Sequence, residues 1–313
     1  MARALAPAAA SLSPLGLALL AALVVLWGVN WPVMKLALTE IPPWTFRVVC
    51  LAVGGLGLLG VARLTGEPVP VPRGRWRPLV SLSLINVTGW HICSAYGLLY
   101  IQSGRAAIIA YTMPLWASIL AVFVLGERLE PRRVAGLGLG MVALAVLIGP
   151  DLAGFGAAPL GAAFMLGCAL FWATGTVFLK RVEWNMPVTA LTGWQLLIGG
   201  VPVALGWLAL EAWPDLSGIS AAAWLALAYA STVAMIFCFC TYIKLVTMLP
   251  ASVASTSTLG VPVVGVLSSA LMLGEPIGPA EIAALVLVLG GLSLVLLPRS
   301  TATAAAPPGA SRR

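Results

Sequence analysis

The chain has 313 residues, of which 61% are hydrophobic and 9% charged, with a mean hydropathy of +1.04. That balance excludes a water-soluble globular domain. The +7 net charge does not indicate nucleic acid, because the positions of the basic residues along the chain explain it better than a basic binding face.

A hydrocarbon core of about 30 Å takes roughly 20 apolar residues per helix, so the apolar length supplies about ten spans. A transmembrane β-barrel needs segments of about ten residues with alternating polarity, which this sequence lacks. Hydropathy places the spans near 15–36, 44–64, 77–98, 104–125, 133–149, 157–180, 188–210, 219–245, 251–273 and 280–298. Helix stoppers separate them, among them Ile41-Pro42-Pro43, Glu130-Pro131, Gly149-Pro150-Asp151 and Trp213-Pro214-Asp215. The first apolar stretch has no convincing small-residue cleavage site and reads as a retained helix, preceded by a short cytoplasmic segment, 1–14. The Ala-, Thr- and Pro-rich tail, 299–313, has the composition of disorder.

Basic residues in short loops are held on the cytoplasmic side. With the N-terminus inside, Arg3, Arg63, Arg73, Arg75, Arg77, Arg128, Arg132, Arg133, Lys180, Arg181, Lys244, Arg299, Arg312 and Arg313 lie inside, and only Lys35, Arg47 and Arg105 lie outside. Both termini are therefore expected in the cytoplasm. Lys35, Arg47 and Lys180 are expected to reach for the interfaces along their flexible stems.

The two halves are similar at a shift of 145–148 positions. Leu125-Gly126-Glu127 matches Leu273-Gly274-Glu275, Pro114 matches Pro262, Trp27 matches Trp172, and Gly54-Gly55 matches Gly199-Gly200. The repeats are bounded at 15–149 and 157–298. Five spans per half is an odd number, so the second half enters the membrane in the opposite sense. The expected fold is an all-α integral membrane protein whose ten transmembrane helices form two five-helix inverted-topology repeats, with a site between them near the midplane.

The Leu-Gly-Glu endings of spans four and nine, the Trp of spans one and six followed by Lys, and the five-plus-five layout resemble the EamA family of the drug/metabolite transporter superfamily. The resemblance extends over about residues 15–298. It implies a carrier in the cell inner membrane for amino acids, related metabolites or toxic compounds, often an exporter, with a cavity lined by spans one, three, four, six, eight and nine.

Polar residues within spans face the bundle interior, which makes them the candidates for a pathway. Trp27, Asn30 and Trp31 share one helical face by their i, i+3, i+4 spacing, and Trp172 with Thr176 repeats the pattern in span six. His91, the one histidine, sits in span three near Tyr96; it either relays a proton or binds an anionic group, or simply bonds a neighbouring carbonyl. Tyr111 precedes Pro114, Thr256 precedes Pro262, and Tyr229 lies in span eight. The two prolines read as repeated hinges and the two end-of-span carboxylates, Glu127 and Glu275, as gating groups or as solvated charges.

No Asp or Glu lies mid-span, which disfavours a cationic-drug antiporter and points to a neutral or zwitterionic metabolite. The expected partners are thus that small molecule, membrane lipids and, if flux is proton-coupled, protons, in a monomer or homodimer. Cysteines 50, 93, 168, 238 and 240 all lie in apolar stretches and read as buried thiols, so neither a metal nor any other cofactor is expected. One histidine and no mid-span carboxylate also argue against an intramembrane enzyme. A channel or lipid translocator stays open as the alternative to a carrier.

Overall fold

A computed structural model describes residues 14–126, 131–152, 158–212, 215–248 and 260–296. The expectations that fall on Glu127, Thr256, the tail and the first 13 residues lie outside these. In chain order the helices are α1 (Pro14–Leu38), α2 (Pro43–Leu64), α3 (76–100), α4 (Ser103–Leu125), α5 (Pro131–Leu152), α6 (Ala158–Arg181), α7 (Val188–Leu210), α8 (221–248), α9 (Gly260–Leu273) and α10 (Pro279–Leu296). No strand occurs among the described residues. Six of the helices, α1, α2, α4, α6, α7 and α8, are long and apolar enough to cross a membrane, while Val134–Leu147, Gly260–Leu273 and Pro279–Leu294 are shorter apolar helices. The protein is a multi-span membrane protein, and its outer surface is accordingly apolar: Phe123 is 80% and Leu271 87% exposed.

Local chemistry sets the helix ends. Pro43 stands at the first position of α2, where a missing N–H costs nothing and φ is already helical. Gly126 and Gly274 end α4 and α9 with φ of 69° and 65°, the left-handed conformation that glycine adopts without a Cβ penalty. The Leu-Gly-Glu signature is therefore, in physical terms, a helix stop followed by a carboxylate.

Three helices depart from regular α geometry. In α3 the segment Ser83–Gly89 is π-helical, and in α8 the segment Tyr229–Phe237 is π-helical as well. Helix α4 breaks at Tyr111–Thr112 and restarts with Pro114 in its first turn. Nothing in the sequence warns of the π segments, whereas Pro114 announces the break. Such irregularities survive in a membrane interior where neighbouring helices take up the freed backbone groups.

Helix α2 packs along α7, α5 along α10, and α1 along α9; α6 packs against α3 and α4, and α8 against α1 and α2. Glycines set the closest approaches. A Cβ at Gly199 of α7 would stand 2.7 Å from the Ser83 carbonyl oxygen and 2.6 Å from Val87 Cβ, and the Gly199 carbonyl accepts from Thr88 Oγ1 at 2.7 Å. Small residues here let α7 dock directly on the π segment of α3. Gly199→Val forces these backbones apart, at a cost of about 2 kcal/mol. Its expected result is a lower melting temperature of the detergent-purified protein, read by intrinsic fluorescence, with Gly60→Val, where nothing lies within 4 Å, as the unaffected control.

Candidate functional site

A cavity of about 450 Å³ lies between α1, α2, α3, α4, α6 and α8. Helix α1 turns Trp27, Asn30 and Trp31 onto it, as their spacing requires. Trp27 Nε1 donates to the Ala234 carbonyl at 3.2 Å, an oxygen within the π segment of α8. The same indole packs against Phe239 and Tyr242, each 5.6 Å between ring centroids. Across the cavity, Trp31, Trp90 and Trp172 form a chain of rings at 6.5 Å and 4.9 Å. Edge and tilted contacts of this kind fix the indoles as a rigid apolar wall.

The remaining predicted residues fall into two groups. His91, Tyr111, Pro114, Trp172 and Thr176 all line the cavity with the α1 triad. His91 is 6% exposed and its Nδ1 has no hydrogen-bond partner; Asn30 Oδ1 is likewise buried and unpartnered. Tyr96 and Tyr229 are placed elsewhere. Tyr96 is five residues past His91 and so points away from it; its hydroxyl accepts from Trp44 Nε1 at 2.8 Å and its ring stacks on Phe164 at 5.6 Å. Tyr229 donates to the Leu26 carbonyl at 2.8 Å, while Ala230, Ala234 and Met235 face the cavity in its place. Pro262 is buried in α9 and does not line the cavity. None of the described α9 residues does, and α2 contributes where the family resemblance did not place it.

That contribution is Arg47, with Cys50 one turn on. Expected at an interface, Arg47 is instead 3% exposed and inside the bundle. Its Nη2 donates to Ser94 Oγ at 2.6 Å, and the guanidinium carbon stands 5.1 Å from the Phe46 ring centre. The available signal was helical register: Arg47 shares a stripe with Cys50 and Gly54, which faces inward and not to lipid. Lys35 also stays within the bundle, donating to the Leu98 carbonyl and, at 2.8 Å, to the Ile101 carbonyl, so it caps the C-terminal end of α3.

The cavity runs from Leu125 and exposed Lys180, at the ends of α4 and α6, toward Arg47 and Met34. At the far end of the bundle, three carboxylates each cap a helix other than their own. Glu211, after α7, accepts from Trp44 N at 2.8 Å and Thr45 N at 2.9 Å at the start of α2. Glu275, after α9, accepts from Ser103 N at 2.8 Å and Gly104 N at 3.0 Å at the start of α4. Glu40, after α1, accepts from Ser220 N at 2.6 Å and Ser220 Oγ at 2.7 Å ahead of α8. A carboxylate on the free N–H groups of a helix start gains charge-assisted hydrogen bonds and the favourable end of the helix dipole. The two bonds from Ser220 hold the Glu40 carboxyl below its usual range, so their contribution is complete above that range and is lost as pH falls beneath it, through the lowered value. Arg105 adds a direct ion pair to Glu281 at 2.6 Å at the same end.

Comparison with known proteins assigns this architecture. Residues 14–149 and 159–297 each match the EamA-like transporter family. The chain is 30% identical to the uncharacterized transporter YvbV of Bacillus subtilis over 88% of this chain and 90% of that one. It is 31% identical to a probable amino-acid metabolite efflux pump of Salmonella typhimurium over 86% and 90%, and 26% identical to the aromatic amino acid exporter YddG of Ancylobacter novellus over 58% and 69%. A solved crystal structure superposes with a TM-score of 0.63 at 22% identity, covering 91% of this chain and 98% of the other, a likeness of fold alone. Two family matches that together take in nearly the whole chain, on a multi-span bundle around an aromatic cavity, make this protein a member of the EamA-like transporter family.

Proposed function

We propose that this transporter is a secondary or facilitative carrier that exports a small zwitterionic metabolite, an amino acid in the first instance, by alternating access between two antiparallel five-helix halves. The observation that carries the reading is a cavity walled by four indoles and reaching the bundle interior, set against an end of the bundle tied by carboxylate caps. The names of two relatives, an amino-acid metabolite efflux pump and an aromatic amino acid exporter, support the cargo class.

Helix pairing supports the two-half arrangement. Exchanging each helix for its counterpart five places on maps α1·α9 onto α6·α4 and α3·α6 onto α8·α1, and leaves α2·α7 and α5·α10 unchanged. The π segments of α3 and α8 begin at Ser83 and Tyr229, an offset within the 145–148 seen in sequence. Repeat pairs of this kind build two states related by exchange of the halves.

The caps then act as a latch. Glu40, Glu211 and Glu275 tie helices together at one end, which the distribution of basic residues places outside the cytoplasm. Near the other end, Glu67 Oε2 is buried without a hydrogen-bond partner among the described residues. On this reading the conformer faces the cytoplasm, ready to load cargo for export, and the opposite state closes the Lys180 end while releasing the outer caps. His91, if flux is proton-coupled, is the cavity group available to carry the proton.

Proteoliposome counterflow tests the proposal directly. A panel of labelled amino acids is expected to include at least one that accumulates transiently against an excess of the unlabelled form inside, with saturable flux; flux that never saturates and shows no counterflow makes the protein a pore. Trp27→Ala and Asn30→Leu are expected to reduce that flux at least tenfold while inserting normally, and wild-type rates in both would remove the cavity from the pathway. Glu211→Ala with Glu275→Ala removes caps of about 1 kcal/mol each, together roughly a thirtyfold shift toward the outward-open state. The expected readout is several-fold faster alkylation of Met34→Cys, in a background without the native cysteines, by an impermeant maleimide added from outside.

A further inference from the structure

Arg47 is a buried cation with no anion among its described partners. Those partners are the Ser94 hydroxyl, the Met34 sulfur at 3.6 Å and the Phe46 ring, and its Nε has none. A guanidinium keeps its charge in any protein environment and offers five N–H donors in a planar fork, so an interior without a counter-charge leaves it badly under-satisfied. The cavity it lines contains one further cation, Lys180 at the opposite end, and no Asp or Glu among its described residues. A second orphan stands beside the same space: Asn30 Oδ1, a buried acceptor with no donor.

We infer that Arg47 is the docking point for a carboxylate on the cargo, which restricts the substrate class to organic acids and amino acids with an aromatic or branched apolar body. The fork of Arg47 matches a carboxylate in two parallel hydrogen bonds, the geometry in which arginine binds that group most strongly. The indoles of Trp31 and Trp90 receive the apolar body, and Asn30 Oδ1 accepts from the ammonium of an amino acid. Amides and amines of the same body lack the anion that Arg47 requires and are not cargo. This rests on the carrier reading and replaces its requirement for a zwitterion by one for a carboxylate held by one residue, the ammonium being an added contact.

Thermal-shift measurements on the purified full chain use three probes of one shape: L-phenylalanine, 3-phenylpropanoate and L-phenylalaninamide. The two carboxylates are expected to raise the melting temperature of the wild-type protein and the amide to leave it unchanged. Arg47→Gln, which keeps a polar amide but removes the charge and the fork, is expected to weaken carboxylate binding about thirtyfold or more, and Arg47→Lys to retain some of it. Without ligand, Arg47→Gln is expected to melt no lower than wild type, because it removes an unpaired buried charge, and that separates lost binding from lost folding. Equal shifts by phenylalanine and its amide, carboxylate binding by Arg47→Gln within twofold of wild type, or no shift by either carboxylate would each overturn the assignment. Counterflow of some other cargo by the wild-type protein in that last case would leave the carrier reading standing and locate the failure in the role given to Arg47.

Discussion

A helix start presents backbone N–H groups with no partner of their own, and close to hydrocarbon water is a poor substitute. This chain supplies the partner from elsewhere in the fold: Glu211 reaches α2, Glu275 reaches α4, and Glu40 reaches Ser220 ahead of α8. The consequence is that secondary-structure completion and tertiary closure are one event. Separating α7 from α2, or α9 from α4, does more than pull apolar surfaces apart; it uncaps a helix. On the proposed carrier reading, this modest set of hydrogen bonds is what one arrangement holds and the other releases, which gives cargo an equilibrium to bias.

The interior is organised on the opposite principle. Where the caps satisfy every charge they touch, the cavity holds groups left incomplete: Arg47 Nε, His91 Nδ1 and Asn30 Oδ1 have no partners. Around them the indoles of Trp27, Trp31, Trp90 and Trp172 are locked by one another, by Phe239 and Tyr242, and by the Ala234 carbonyl. A rigid apolar wall with a few unsatisfied polar points binds by completing those points. Arg47 stands three residues beyond Trp44, whose backbone N–H is held by Glu211, so the incomplete cation and one of the caps belong to the same first turns of α2.

Matching positions in the two parts of the chain give the two principles their geometry. Gly126 and Gly274 reverse the chain after α4 and α9 in the same left-handed conformation, and the π segments of α3 and α8 recur at equivalent places. Trp27 donates to a carbonyl in one π segment and Gly199 docks on the other. Irregular backbone thus serves as a contact surface on each side of the cavity, where a regular helix would offer only side chains.

Composition and periodicity were sufficient for the membrane environment and for helices as its solution, because hydrocarbon leaves the backbone no other way to satisfy itself in a chain without alternating polarity. Helix ends were legible at Pro43 and at the two Leu-Gly-Glu signatures, and the face carrying Trp27, Asn30 and Trp31 was legible from spacing, since these depend on residues close in sequence. What faces what was not. Tyr96 and Tyr229 carried the same polar signal as Tyr111, yet one accepts from Trp44, the other donates to Leu26, and only Tyr111 lines the cavity. Arg47 looked like an interfacial charge and Glu275 like a gating group or a solvated charge, because the groups that give them meaning, Ser94 for the first and Ser103 and Gly104 for the second, lie 47 and more than 170 residues away. Local sequence determines which face a residue occupies; only the packing of distant helices decides whether that face meets lipid, another helix or the cavity.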